Sequence, residues 1–245
     1  MKLLEVAGLT KVYSGLHAVK NVSFSVEEKS VTALIGPNGA GKTTCFNLIA
    51  GATSCSAGSV RFAGQDITGL QPEQACQHGI ARTFQIVRPL AGMSVLENVV
   101  VGALMREKTV PAAERRAMGV LERIGLGAKA HAPASALALP ERKLLELAKA
   151  LATQPRLLML DEVMAGLRPA EADQITQVLR ELTADGLTIL LIEHVMRVVM
   201  AVAQSIVVLH HGEKIAEGTP ATIANDPAVI ACYFGSSARA TGQPA

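Results

Sequence analysis

The chain has 245 residues, 49% of them hydrophobic, with a formal net charge of +2 and a mean hydropathy of +0.32. That length suffices for one large α/β domain, and with no Trp, two Tyr and five Phe its core must be aliphatic. A near-neutral charge without any Lys/Arg run lacks the footprint of a nucleic-acid binder, so no nucleic-acid partner is expected.

The opening MKLLEVAGLTKVY has neither an uninterrupted apolar core nor a small-residue cleavage site, so it is not read as a signal peptide. LLEVAGLTKVY and AVKNVSFSVEE alternate in hydropathy and predict antiparallel strands. SVTALIG (30–36), RLLMLDE (156–162) and LTILLIEH (187–194) are apolar runs, each followed by a turn and a helical pattern. They predict parallel strands covered on both faces. From about 92 to 152 the pattern is helical, in SVLENVVVGALMRE, AAERRAMGVLERIG and PERKLLELAKALA, and predicts an inserted helical subdomain. The window 187–209 matches a membrane span in length only, because Glu193, His194, Arg197 and Gln204 interrupt it; a strand–helix–strand passage is expected. SIVVLHHGEKIAEGTP reads as further antiparallel strands, and a single domain is expected over 1–235. The polar tail 236–245 is expected to be disordered. The four cysteines show no CxxC spacing, which predicts reduced thiols, and no histidines form a metal-ligand pair. His210 and His211 would point to opposite faces of a strand.

The strongest chemical signal is GPNGAGKTT at 36–44, a GxxxxGK[ST] pattern between an apolar strand and FNLIAG, which can run as a helix. In that context Gly36, Pro37, Asn38, Gly39, Ala40, Gly41, Lys42, Thr43 and Thr44 form a nucleotide-binding loop. Its glycines let backbone N–H groups turn inward onto phosphate, helped by the positive helix end. Lys42 reaches the β and γ phosphates, and the Thr43 hydroxyl sits on Mg²⁺. The second signal, LLMLDE, ends an apolar strand in two acids: Asp161 as a Mg²⁺ partner through water and Glu162 to polarise the attacking water. A strand-end acid alone is commonly just solvated; the phosphate loop makes this pair the second half of an NTPase site.

With these motifs in place, nearly the whole chain, about 3–235, resembles the ATP-binding subunits of ABC transporters. The resemblance implies a P-loop NTPase α/β fold: a mainly parallel sheet, an N-terminal antiparallel β subdomain and an inserted helical subdomain. It implies ATP and Mg²⁺ as ligands. By position it implies that Tyr13 stacks on adenine, that Gln85 touches Mg²⁺ and the attacking water, and that His194 contacts the γ-phosphate; on their own these would read as an edge tyrosine, a plain glutamine and a solvated histidine. GLHAVKNVSFSV, ITGLQPEQACQHGIARTFQIVRPLAGMSVLENVVVG and GEKIAEGTPATIANDPAVIACYFG are similar to the ATPases of branched-chain (hydrophobic) amino-acid importers. The implied setting is peripheral, on the cytoplasmic face of the cell membrane. The implied partners are membrane-spanning permease subunits, a solute-binding protein indirectly, and a second ATPase.

LALPE at 137–141 stands where the family carries LSGGQ or LSYGQ. Ala138 replaces the serine, Leu139 and Pro140 the glycines, and Glu141 the glutamine. Proline has no N–H to offer a phosphate, and Glu141 brings negative charge toward ATP. As local structure the stretch is sound, with proline and an acid in a helix's first turn. Because two such ATPases meet head to tail, the segment predicts a heterodimer with a partner whose signature is intact. Val163 replaces the usual proline and Arg168 the usual Asn or Asp. A rival reading is a nucleotide-binding regulatory subunit with little turnover. A soluble ABC-type ATPase acting on DNA or ribosomes would carry duplicated cassettes or basic extensions, which this chain lacks.

Overall fold

The computed structural model describes residues 1–83, 87–90 and 92–234. Gln85 and the tail 236–245 lie outside the described residues. Two sheets form. In the first, β1 (Lys2–Tyr13) pairs antiparallel with β2 (Leu16–Glu27) and β4 (Ala57–Phe62), and β4 turns back as β5 (Gln65–Asp66). The order is β2-β1-β4-β5, and Leu3, Leu4, Val6 and Leu9 of β1 are buried.

The second sheet runs β10-β9-β3-β8-β7-β6. Strands β3 (Val31–Ile35), β6 (Ile80–Arg82), β7 (Leu157–Asp161), β8 (Thr188–Ile192) and β9 (Ser205–His210) are parallel; β10 (Glu213–Gly218) alone is antiparallel, to β9. Every residue of β3, β7 and β8 is buried, which is why these strands read as unbroken apolar runs instead of alternating. Helices cover both faces. On one side Phe46, Leu48 and Ile49 of α1 (Lys42–Ile49) join Leu157, Met159 and the first sheet's apolar face. On the other, α6 (Pro169–Ala184) and α7 (Met196–Val202) pack Ile175, Leu179 and Val198 onto Leu158, Leu160 and Leu191.

Short α2 (Pro72–His78) leads into β6. Helices α3 (Val95–Ala103), α4 (Val110–Arg123) and α5 (Leu139–Ala152) then gather a core of their own around Val95, Val99, Leu121, Leu126 and Leu145. Ser94 and Glu97 close a reciprocal cap on α3. Two helices, α8 (Pro220–Ala224) and α9 (Pro227–Phe234), follow β10. Among the described residues no helix is long and apolar enough to cross a membrane. All four cysteines are free, and burial pushes the Cys45 thiol up to about 12, so it stays protonated and inert.

The two adjacent histidines depart from strand alternation. β9 ends at His210, and His211 turns out of it with φ +48°, so the two rings stand 4.0 Å apart instead of on opposite faces.

Candidate nucleotide site

The phosphate loop is clamped from behind by two strands. Gly36 has φ +147°, and a Cβ there would fall 2.1 Å from the Leu209 carbonyl oxygen of β9. Gly41 has φ +97°, and its Cβ would fall 2.4 Å from the Ala18 carbonyl oxygen of β2. Only glycine tolerates both the conformation and the approach. The turn between β9 and β10 completes the clamp: the Gly212 N–H donates to Ala40 O, and Gly212 O accepts from the Lys20 N–H. Gly41 then starts α1 as its N-cap, with no side-chain cap on the first-turn N–H groups. Those donors and the helix dipole face a hollow of about 400 Å³.

The hollow is lined by residues 38–44 of the loop, by Leu16, His17 and Ala18 of β2, and by Glu162 and His211. Lys42 is buried and folds back, its Nζ donating to Gly36 O at 2.7 Å and Pro37 O at 3.0 Å. Burial lowers its pKa, while Glu162 and Asp161 pull it back up. These two Nζ hydrogen bonds run to neutral carbonyls, which phosphate oxygens carrying full charge can replace. Tyr13 stands outside this lining, exposed at the end of β1 with the Lys11 ammonium 4.9 Å from its ring centre.

Asp161 and Glu162 end β7 in different states. Asp161 is buried, with Oδ2 accepting from Arg82 Nη2 at 2.8 Å. Glu162 adopts φ +49°, a left-handed conformation that costs a non-glycine residue about 1–3 kcal/mol and concentrates at functional sites. Its N–H donates to Ile192 O, the last residue of β8, which holds the strained corner in place. His194, two residues beyond β8, brings Nδ1 to 3.9 Å from Glu162 Oε1. The strand-end acid and the strand-end histidine are thus neighbours across β7 and β8.

Thr43 and Asp161 also border one larger hollow of about 810 Å³, walled by Asn98, Val101 and Gly102 of α3 and by Glu146, Lys149 and Ala150 of α5. A hydroxyl and a carboxylate facing one space are hard oxygen donors of the kind Mg²⁺ takes. Among the described residues no cluster of three or more Cys, His, Asp or Glu could hold a metal alone. The pair therefore fits an ion that draws its remaining ligands from phosphate and water.

Glu193 and Lys143 are among the site residues that carry no motif signal. Glu193 is buried, with Oε1 accepting from the Met164 N–H at 2.8 Å and Oε2 from the His194 N–H at 3.2 Å. It ties the loop after Glu162 to the segment bearing His194. Burial raises its pKa against the opposing pull of those N–H bonds. Lys143 of α5 is also buried, its Nζ 3.4 Å from Glu162 O, and burial lowers its pKa despite Glu193, Glu162 and Asp161 nearby.

LALPE forms the start of α5. Ala138 is the N-cap, extended at φ −69° and ψ 165°, and Pro140 lies in the first turn. Glu141 accepts from the Ala138 N–H at 3.1 Å and ion-pairs with Lys129, which holds its carboxyl below the usual range. The alanine side chain has no acceptor, so only the Glu141 half of a capping box forms. Leu139 is 45% exposed and stands beside Gly166 of the loop after Glu162. Arg168 is exposed and pairs within its own helix start with Glu171.

Known families match this arrangement. The ABC transporter family model covers residues 19–165, and that for the branched-chain amino acid ATP-binding cassette transporter covers 213–239. The chain is 39% identical to the high-affinity branched-chain amino acid transport ATP-binding protein BraF of Pseudomonas aeruginosa, covering 96% of this chain and 98% of that one. It is 40% identical, with the same coverage, to the corresponding protein LivG of Escherichia coli. A crystal structure of the ADP conformation of an ATP-binding cassette from an ABC transporter superposes with TM-score 0.89 at 34% identity, covering 96% of this chain and 99% of that one. The chain belongs to the ABC transporter family, as one of its ATP-binding, ATP-hydrolysing cassettes.

Proposed function

We propose that the chain energises an importer of branched-chain or other hydrophobic amino acids, working from the cytoplasmic face of the membrane beside permease subunits. The observation that carries the chemistry is Glu162: a strained acid on the phosphate-loop hollow, with His194 3.9 Å away and Lys42 on the same wall. In this reading the first-turn N–H groups of α1 and Lys42 hold the phosphates, and Tyr13 and Gln85 act at adenine and water as in the family. Glu162 accepts a hydrogen bond or a proton from the attacking water, and His194 contacts the γ-phosphate. Thr43 and Asp161 would hold Mg²⁺, which when bound neutralises charge on the transferring phosphoryl group. The relatives' names support the solute class.

The partner is a second ATPase with an intact signature. In head-to-tail dimers each ATP would meet the other subunit's signature, and here Pro140 has no N–H while the Ala138 N–H is taken by Glu141. The α2–α3 end of the larger hollow, away from Thr43 and Asp161, with Pro72, Cys76 and Val101 on its wall and Leu104 and Met105 exposed beside it, suits a permease segment. LALPE also favours a second reading, a regulatory subunit with little turnover. The test is Glu162→Gln mixed with the partner ATPase: ATP binding is retained, turnover is lost and a closed dimer accumulates in size-exclusion chromatography. Normal turnover in that variant overturns the assigned role.

A further inference from the structure

Arg82 is the charge that the two nucleotide motifs give no reason to place here. It is the last residue of β6, and its guanidinium joins three elements. Nη1 donates to Asn47 Oδ1 of α1 at 2.5 Å, and Nη2 to Asp161 Oδ2 of β7 at 2.8 Å. The group also lies 5.8 Å from the Phe46 ring centre. Only 12% of the Arg82 side chain and 4% of the Asp161 side chain are exposed. Asn47 follows Thr43 by four residues, one turn along the same helix face. One guanidinium therefore grips both Asp161 and the helix that carries Thr43, and all three residues border one hollow.

We propose that Arg82 is a positioning residue, the resident counter-ion of Asp161, and that it sets the Mg²⁺ concentration at which nucleotide is held. The proposal rests on Thr43 and Asp161 being the Mg²⁺ partners. A buried carboxylate is costly unless paired, so Asp161 needs a cation whether or not metal is present. Arg82 supplies it in the metal-free protein, and its planar two-armed donor keeps Oδ2 in one place. Mg²⁺ and Arg82 draw on the same carboxylate charge. Whatever part of the Arg82–Asp161 pairing is given up when metal binds is subtracted from the apparent affinity for Mg²⁺, by linkage.

The experiment follows thermal unfolding and fluorescent-ADP binding of the full chain, at saturating ADP, as Mg²⁺ is titrated. Arg82→Gln lowers the melting temperature without Mg²⁺, enlarges the gain on adding it, and lowers the Mg²⁺ half-point about tenfold, a usual size for coupled sites. Arg82→Lys keeps the charge without the two-armed grip and falls between. If Arg82→Gln does not fold without Mg²⁺, Arg82→Lys alone carries the test. An equal loss of melting temperature with and without Mg²⁺, at an unchanged half-point, marks a merely structural arginine and overturns the proposal. A raised half-point overturns it too, because Arg82 would then be aiding the metal. Asp161→Asn separates the underlying reading: if it leaves the Mg²⁺ dependence unaltered, Asp161 is no metal partner, whatever the arginine variants show.

Discussion

Four substitutions turn LALPE into LSGGQ: Ala138→Ser, Leu139→Gly, Pro140→Gly and Glu141→Gln. Ala138 already has the extended geometry of an N-cap, so a serine hydroxyl there accepts a first-turn N–H and stabilises by about 1 kcal/mol. Glycine at 139 removes a half-exposed leucine and loses about 1 kcal/mol of helix propensity. Glycine at 140 releases a φ that proline fixed, for up to about 1 kcal/mol. Glutamine at 141 still accepts from the Ala138 N–H but forfeits the ion pair with Lys129, whose side chains are 50% and 25% exposed. Solvent screening limits that loss to about 0.5 kcal/mol. The net is a destabilisation of about 1–2 kcal/mol, small against the 5–15 typical of a domain, so a modestly lower urea midpoint and an intact fold are expected. In the proposed head-to-tail dimer the functional change is larger, because a hydroxyl and the N–H that Pro140 lacks become available to the opposing γ-phosphate, and the half-exposed Leu139 side chain no longer covers the helix start. The variant alone should hydrolyse ATP at a rate per subunit that rises with protein concentration. A folded variant that binds ATP like the parent chain yet shows no turnover at any concentration would refute the reasoning.

Two further outcomes follow from the same geometry. Lys42→Ala removes the ammonium that holds Gly36 O and Pro37 O; tight ATP binding should disappear by calorimetry, while melting changes little because the loop stays clamped by Leu209 and Ala18. Glu193 gives a pH signature: its raised pKa means the native state keeps this proton to higher pH than the unfolded chain. That contribution is full below the ordinary carboxylate range and is lost as pH rises through the folded value. Urea midpoints should decline less steeply with pH in Glu193→Gln than in the parent, and identical slopes would contradict the assignment.

How legible this protein is in its sequence depends on the range of each interaction. The phosphate loop, the β7 acids and the capped start of α5 are written locally, because a glycine spacing, a strand end and a Pro-Glu pair act within one turn of chain. The three buried strands are legible because burial on both faces leaves no polar alternation. Long-range partnerships carry no such mark. Nothing in the spacing of residues 47, 82 and 161 says that Arg82 bridges Asn47 and Asp161, or that Glu193 reaches the Met164 N–H. His211 was obscured for a different reason: alternation assumes the strand continues, and a left-handed residue ended it. The parallel pairing of β9 with β3 likewise depends on sheet order, which a local alternation pattern does not encode.

The most direct measurement is the ATPase rate per subunit of the chain alone as its concentration rises, with ATP binding followed in the same samples. If the proposed roles of Lys42, Thr43, Asp161, Glu162 and His194 hold and LALPE cannot serve an opposing ATP, the chain alone binds ATP without turnover, and turnover appears on adding a second ATPase that carries LSGGQ. Clear hydrolysis by the chain alone, rising with concentration, would contradict the heterodimer and show that LALPE supports a working homodimeric site.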